Sequence, residues 1–332
     1  MMIKTFLFLL LSVELFAVPS WFLKLHEKNQ NVYIGYGVAK SGIQAKQDAL
    51  SDIASQIFVS VNDSVSSHVS DVNGHVSSSN ESETSQKSFA TLSDYKLLKS
   101  EYDAGEYYVA LSYENIPSLD KFLRKVKALQ PRAILMQRSE EYLSFTPISH
   151  EIERKLGYQL AFNLVRKDKK WYIQDKQVMQ ILDKKDFRKF FVSKENAHLS
   201  LHTNRRGDIL HEGDKFYFDV KTKEDGYVTL LDVYEDGTVA TLLKNVGMKK
   251  GVLQKLPDED FESVPEASLL LKGEETYDLY VAIFSKKRLK LDSFAYADDA
   301  LISEEKNKNF DTLIRFLDDK IYTILKVVTK PR

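Results

Sequence analysis

The chain has 332 residues, 43% of them hydrophobic, which is enough for two or three domains with ordinary cores. Its 47 basic and 48 acidic residues leave a formal net charge of −1, so there is no general electrostatic argument for nucleic-acid binding. It contains no cysteine, which excludes disulfides, thiolate metal sites, cysteine nucleophiles and lipidation on cysteine.

Lys4 precedes the apolar run of residues 6–11, and Leu15-Phe16-Ala17 places a small residue before a cut. This is the layout of a secretory signal peptide, and the run is too short to span a bilayer comfortably. Residues 1–17 are expected to be removed near Ala17, although Glu14 is unusual between the run and the cut. An uncleaved anchor is the alternative. The mature product is then exported, either soluble or peripheral to an envelope structure. Trp21 and Phe22 are expected to pack down and tie the new terminus in place.

Residues 33–58 read as a strand, a glycine-rich turn and one helix. Gly35 and Gly37 interrupt the apolar strand, and glycine within a strand marks a bulge or a close backbone approach. Ser41 is a good N-cap. Ile43, Ala45, Ala49, Leu50, Ile53, Ala54 and Ile57 then recur at helical spacing, and the small alanines suit close packing on a sheet. A dinucleotide fingerprint would need glycine at the first, third and sixth positions. Here the sixth is Lys40, Gly42 comes two residues late, and no doubly wound alternation follows.

Between residues 59 and 94 Ser, Val, Asn and Thr dominate. Val59, Val61, Val65 and Val69 share one parity, the period of a strand, and Asn73-Gly74 is a hairpin-turn pair. These residues predict a long polar two-stranded arm returning through residues 83–91, with a Ser-rich disordered loop as the alternative. Such an arm buries little apolar surface and offers edges to another chain, so the six residues are the candidate interaction site. Residues 95–101 and 107–113 predict two strands joined by Asp103-Ala104-Gly105. A helix follows Pro117, capped by Ser118 or Asp120, with Phe122, Val126 and Leu129 on its apolar side. Residues 18–130 thus form a small α+β domain.

The opening Pro19-x-Trp21, the Tyr33-x-Gly35-x-Gly37-x-Ala39 strand, the helix ending Ile53-Ala54-Ser55-Gln56-Ile57 and the strand around residues 108–113 together resemble the lipoprotein-20 family of bacterial outer-membrane proteins. The resemblance covers residues 19–129. It implies a cell-envelope setting, for some members a flagellar basal structure, and partners that are copies of the chain or related envelope lipoproteins. Ala17-Val18 stands where lipoprotein members carry a lipidated cysteine.

Residues 131–196 predict a second small α+β module. It has a helix over 148–160 ending near Gly157, a hairpin of residues 161–165 and 171–174, and a further helix with an aromatic cluster from Val178, Ile181, Leu182, Phe187, Phe190 and Phe191. Residues 197–296 read as all-β. Phe216, Phe218 and Val220 alternate, Asp225-Gly226 and Asp236-Gly237 are turn pairs, and residues 277–284 form the most apolar and hence central strand. Together they predict an antiparallel sandwich. The run of residues 225–245 resembles the bacterial β-sandwich domain of unknown function 4384, which implies no activity of its own. Residues 297–332 close the chain with a predicted amphipathic helix over 304–328, its stripe formed by Phe310, Leu313, Ile314, Leu317, Ile321, Ile324 and Leu325.

The tests for chemistry fail one by one. His150-Glu151 begins a zincin helix, but the second histidine position is Arg154. His198 and His202 lie four apart in a strand pattern, too far for one zinc. Residues 256–262, with Asp258, Glu259, Asp260 and Glu262, lack the central glycine of a calcium loop. There is no nucleophile elbow and no phosphate loop. No catalytic, metal or cofactor residue is therefore assigned. The expected function is non-enzymatic assembly in the envelope, with no nucleic acid and no small-molecule cofactor as partner. The alternative is glycan or peptidoglycan binding through Tyr217, Tyr227 and Tyr234.

Overall fold

The computed structural model of the protein describes residues 18–25, 31–66, 92, 94–129, 140–257, 264–291, 294 and 309–332. It has an α+β fold whose chain divides into two units, Met1–Ile116 and Pro117–Arg332, each with its own sheets and core.

In the first unit, β1 (Val32–Ala39), β2 (Lys96–Asp103) and β3 (Glu106–Glu114) form an antiparallel sheet in the order β1-β3-β2. Helix α1 (Gly42–Ser66) lies across it. The glycines explain how closely it lies: a Cβ on Gly35 would stand 2.0 Å from the Ala49 carbonyl oxygen, and one on Gly37 only 1.8 Å from that of Ala45. No side chain fits between this strand and this helix. The backbone they admit is therefore α1, not a pyrophosphate. Ser41 Oγ accepts a hydrogen bond from the Gln44 amide at 3.2 Å, as an N-cap does. Ala45, Ala49, Leu50, Ile53, Val109 and Leu111 fill the buried interface. On the opposite face Phe22 packs edge-on against Tyr36 and Tyr108, each at 5.2 Å, which ties down the start of the described chain. Ala104 and Gly105, both at positive φ, make the turn between β2 and β3.

The predicted arm is corrected where it can be seen. Val59, Val61 and Val65 belong to α1, which continues to Ser66, and not to a strand. Ile57, Val61 and Val65 are four apart, so they extend the helical stripe as readily as they satisfy a period of two. Val69, Asn73 and Gly74 lie outside the described residues, as does the predicted cleavage point at Ala17.

The second unit begins with α2 (Ser118–Ala128), α3 (Glu141–Ser144) and α4 (Pro147–Leu156). A three-stranded antiparallel sheet of β4 (Asn163–Lys167), β5 (Lys170–Gln174) and β6 (Met179–Ile181) follows, then α5 (Lys184–Arg188). Next come β7 (Leu199–Thr203), β8 (Ile209–His211), β9 (Phe218–Thr222), β10 (Gly226–Val233), β11 (Val239–Met248), β12 (Leu253–Leu256) and β13 (Thr276–Ser285). Helix α6 (Phe310–Leu317) and β14 (Ile321–Lys330) complete the unit. A five-stranded sheet runs β11-β10-β13-β14-β8, and a second sheet runs β12-β9-β7.

The five-stranded sheet is buried on both faces. Val228, Leu230, Tyr280, Ala282 and Phe284 meet Leu201, Phe218 and Val220 of the second sheet, forming the sandwich core. Leu231, Val233, Leu279, Val281 and Ile283 meet Phe122, Tyr142, Trp171, Phe190 and Phe310 in a larger core. Double burial is why β13 is apolar at nearly every position, and it is the middle strand of its sheet, as expected.

Three expectations change. Helix α2 was expected to close the first domain but packs in the larger core of the second unit. Its cap is not local: the buried carboxylate of Asp186 accepts from Ser118 Oγ and the Leu119 amide, each at 2.7 Å, and Asp183 accepts from the Ser118 amide at 3.1 Å. Residues Val178, Ile181 and Leu182 are buried as predicted, but they lead into and out of β6 instead of a helix. The terminal helix ends at Leu317, and Ile321–Lys330 is a strand, antiparallel to β13 and parallel to β8. Asp318, Asp319 and Lys320 separate the two. Beyond them Ile321, Thr323, Ile324, Val327, Val328 and Thr329 are β-branched, a composition that favours the pleated sheet.

Candidate functional site

Sequence-predicted chemistry does not converge. His150 and Glu151 lie on α4, where Glu151 pairs with Lys155 at 2.8 Å and Lys189 at 2.9 Å. Burial alone would raise the Glu151 carboxyl, but hydrogen bonds from these two lysines bring it below the usual range. His198 and His202 are both exposed. Asp258, Glu259, Asp260 and Glu262 lie outside the described residues. Among the described residues, no cluster of three or more His, Asp or Glu is arranged to hold a metal. Tyr227 and Tyr234 stand at opposite ends of β10, and Tyr217 precedes β9 in the other sheet. Lys255 covers the Tyr217 ring at 3.8 Å and Arg288 covers that of Tyr227 at 5.5 Å. The three tyrosines thus form no common platform.

Two other features emerge from the fold. The first is an asymmetry between the two edges of the N-terminal sheet. The outer edge of β1 is blunted by α1: Asp52 accepts from the Tyr36 amide at 2.9 Å, and Gln56 Nε2 donates to the Ile34 carbonyl at 2.8 Å. The outer edge of β2 receives no such cover among the described residues. All eight residues of β2 are exposed, Leu97 at 62% and Tyr102 at 61%. Its pairing with β3 slips in register between Leu97 and Lys99. An edge with unpaired backbone groups is a template for another strand.

The second is a cavity of about 590 Å³ at one end of the sandwich, where β10 turns into β11. The turn is held by Asp236, which accepts from the Thr238 amide at 2.7 Å, and by Trp171, whose Nε1 donates to the Asp236 carbonyl at 2.7 Å. A Cβ on Gly237 would meet the Trp171 ring at 2.2 Å, and Gly237 has φ 80°, so both space and backbone demand glycine there. The opposite lip is stitched by the Phe216 amide to the Pro265 carbonyl at 3.1 Å and the Ala267 amide to the Asp214 carbonyl at 2.9 Å. Asp232, Asp278 and Tyr280 share the face of the sheet that looks into this cavity. Asp232 lies opposite Tyr280, which puts Asp278 one diagonal away, roughly 7 Å across the strands. Asp232 is 5% exposed and its Oδ1 has no hydrogen-bond partner. Burial, and then the Asp278 charge, drive its carboxyl well above the usual range. Burial and the Glu235 charge push Asp278 up to about 7. Sequence reading missed this pair. Asp232 and Asp278 each interrupt an apolar strand at an in-facing position, and that was the available signal.

Residues 19–113 match the model of the LPP20 lipoprotein family. The LPP20 match ends within β3, so it stops short of α2 and covers the first unit alone. The match does not reach the sandwich, and no comparison supports the resemblance expected there to domain of unknown function 4384. Among solved structures, a secreted protein of the human pathogen Helicobacter pylori is similar at 20% identity with a TM-score of 0.20, over 39% of this chain. The chain spans 53% of that protein's length. No curated protein matches the chain. Among the described residues no helix is long and apolar enough to cross a membrane.

Proposed function

We propose that the protein is a non-enzymatic, exported cell-envelope component that works by assembly, accepting a strand from a neighbouring subunit on the open edge of β2. The observation that carries this reading is the contrast between the two sheet edges, one closed by Asp52 and Gln56 and the other exposed at all eight residues of β2, Leu97, Leu98 and Tyr102 among them. Strand addition uses backbone hydrogen bonds for affinity and alternate side chains for specificity. Leu97 and Tyr102 are the apolar anchors, while Lys96, Lys99 and the slipped register at Leu98 make the edge selective. The neighbour is a second copy of the chain or a related LPP20-type subunit. A flagellar basal structure at the outer membrane is the setting that the family resemblance makes most specific.

The test is the solution mass of the full chain by light scattering, compared with a Leu97→Glu/Tyr102→Glu double variant. The wild type should associate as its concentration rises. The variant, with charges on exposed positions that cost the fold little, should stay monomeric with an unchanged circular dichroism spectrum. A wild type that remains monomeric alone and in its native envelope extract, or a variant that assembles equally well, overturns the reading.

A further inference from the structure

The cavity at the sandwich end has a lining of one sign. Among the described residues it holds five acids, Asp232, Glu235, Asp236, Glu266 and Asp278, and no lysine, arginine or histidine. Three of the five are already accounted for. Glu235 is paired with Arg188 and with Lys184 at 3.4 Å, Asp236 holds the β10–β11 turn, and Glu266 sits exposed on the lip. Asp232 and Asp278 are different. They are 5% and 8% exposed, and the buried Oδ1 of Asp232 has no hydrogen-bond partner among the described residues. Buried carboxyls without a counter-ion are costly, and native proteins pair them, bond them or leave them protonated.

The missing partner has a definable chemistry. The space, about 590 Å³, is that of a small-molecule pocket and far exceeds a bare ion. Among the described residues no third ligand is arranged to complete a metal site. Phe216, Leu242 and Leu270 offer an apolar wall for a hydrocarbon stem. Tyr280 beside the carboxyls and Tyr234 at the rim offer aromatic faces, which attract a cation.

We propose that this cavity binds a primary alkylammonium group, with Asp232 and Asp278 as its anionic partners and Tyr234 and Tyr280 as its aromatic wall. The group is either the side chain of a lysine in a polypeptide or the end of a free small amine. The site lies in the other unit from the β2 edge, so it stands or falls separately from the assembly reading. Without a cation, burial favours the protonated form of both carboxyls, and Asp278, pushed up to about 7, keeps its proton below that pH. The ammonium replaces that proton, so affinity rises with pH through about 7. Among the described residues, the other charged or titratable groups facing the pair are Tyr234, Tyr280, Glu235 with Arg188 and Lys184, Asp236 with Arg166, and Glu266.

The experiment is calorimetric titration of the full chain, at a pH well above 7, with 1,5-diaminopentane, with a blocked Gly-Lys-Gly tripeptide, and with 1-pentanol as the neutral match. Saturable binding is expected for at least one ammonium probe and not for pentanol. Asp278→Asn should weaken it by roughly tenfold or more, the range for loss of a charged hydrogen bond, and acidification to about pH 5.5 should weaken it in the wild type. Binding of the peptide alone assigns the site to a protein side chain, and binding of the diamine alone assigns it to a small molecule. If Asp278→Asn loses its native circular dichroism spectrum, Tyr234→Ala at the exposed rim carries the comparison and should bind several-fold more weakly. Failure of both probes to bind, equal binding of pentanol, or variants that bind as tightly as the wild type would overturn the proposal.

Discussion

Gly35 and Gly37 show how much a single position can carry. From the sequence they marked a close approach of backbone, and the approaching partner is the Ala45 to Ala49 turn of α1. The alanines announced the same contact from the other side, since larger side chains would hold the helix off the strand. Asp52 and Gln56 carry no comparable mark in the sequence. Their bonds to Tyr36 and Ile34 depend on a register that the sequence does not display. Asp278 has a measurable consequence. In the unfolded chain an aspartate titrates near 4, whereas in the fold burial and Glu235 push Asp278 up to about 7. Between these values the folded protein keeps a proton that the unfolded chain releases. This group's contribution therefore lowers stability as pH rises from about 4 to about 7, with no further change above. Asp278→Asn mimics the protonated acid. Its melting temperature should match that of the wild type near pH 4 and exceed it near pH 8; a lower value at pH 8 would mean that the ionised carboxylate stabilises the fold.

Among the elements, the C-terminal pair α6 and β14 is the most instructive. One amphipathic stripe ran through residues 310–325, but the chain changes conformation between Leu317 and Ile321. Phe310, Leu313, Ile314 and Leu317 keep their helical spacing and are all buried. Ile321, Ile324 and Leu325 fit that spacing too, and only the gap between β13 and β8 makes them a strand. The seat of β14 between two other strands is non-local, joining Val328 to Tyr277 on one side and Ile209 on the other. Ile324 is buried against the larger core. Ile324→Ala should therefore cost about 2–5 kcal/mol, the range for a core cavity, in a denaturant titration of the full chain. A surface helix would lose well under 1 kcal/mol at such a change, so a small loss would contradict the strand. The cap of α2 has the same lesson. Ser118 is near the helix start as expected, but the carboxylates that satisfy it come from Asp183 and Asp186, more than sixty residues away in sequence.

In the whole molecule the expected middle module, sandwich and terminal helix become three layers of one unit. The five-stranded sheet is shared: one face belongs to the sandwich core and the other to the core that residues 117–192 and α6 complete. Every residue of both cores lies within Pro117–Arg332. This fragment, produced alone, should fold with a native near-ultraviolet circular dichroism signal and one cooperative melt. A fragment ending before α6 should not, because it lacks a helix of the larger core and β14, a strand of the shared sheet. Aggregation or a featureless spectrum of the longer fragment would refute this account of the unit.

By itself the sequence determined the α+β class, the glycine-mediated strand–helix contact, the hairpins at Asp103-Ala104-Gly105 and around residues 166–170, and the central place of the apolar strand β13. These rest on local rules of spacing, turn chemistry and small residues, which neighbours in the chain are enough to express. Tertiary structure alone decided that residues 59–66 continue a helix, that residues 321–330 form a strand, that α2 belongs to the second unit, and that Asp232 and Asp278 meet in one cavity. Each depends on which distant surface a segment is buried against, and periodic patterns of three to four residues and of two overlap too often to specify that partner.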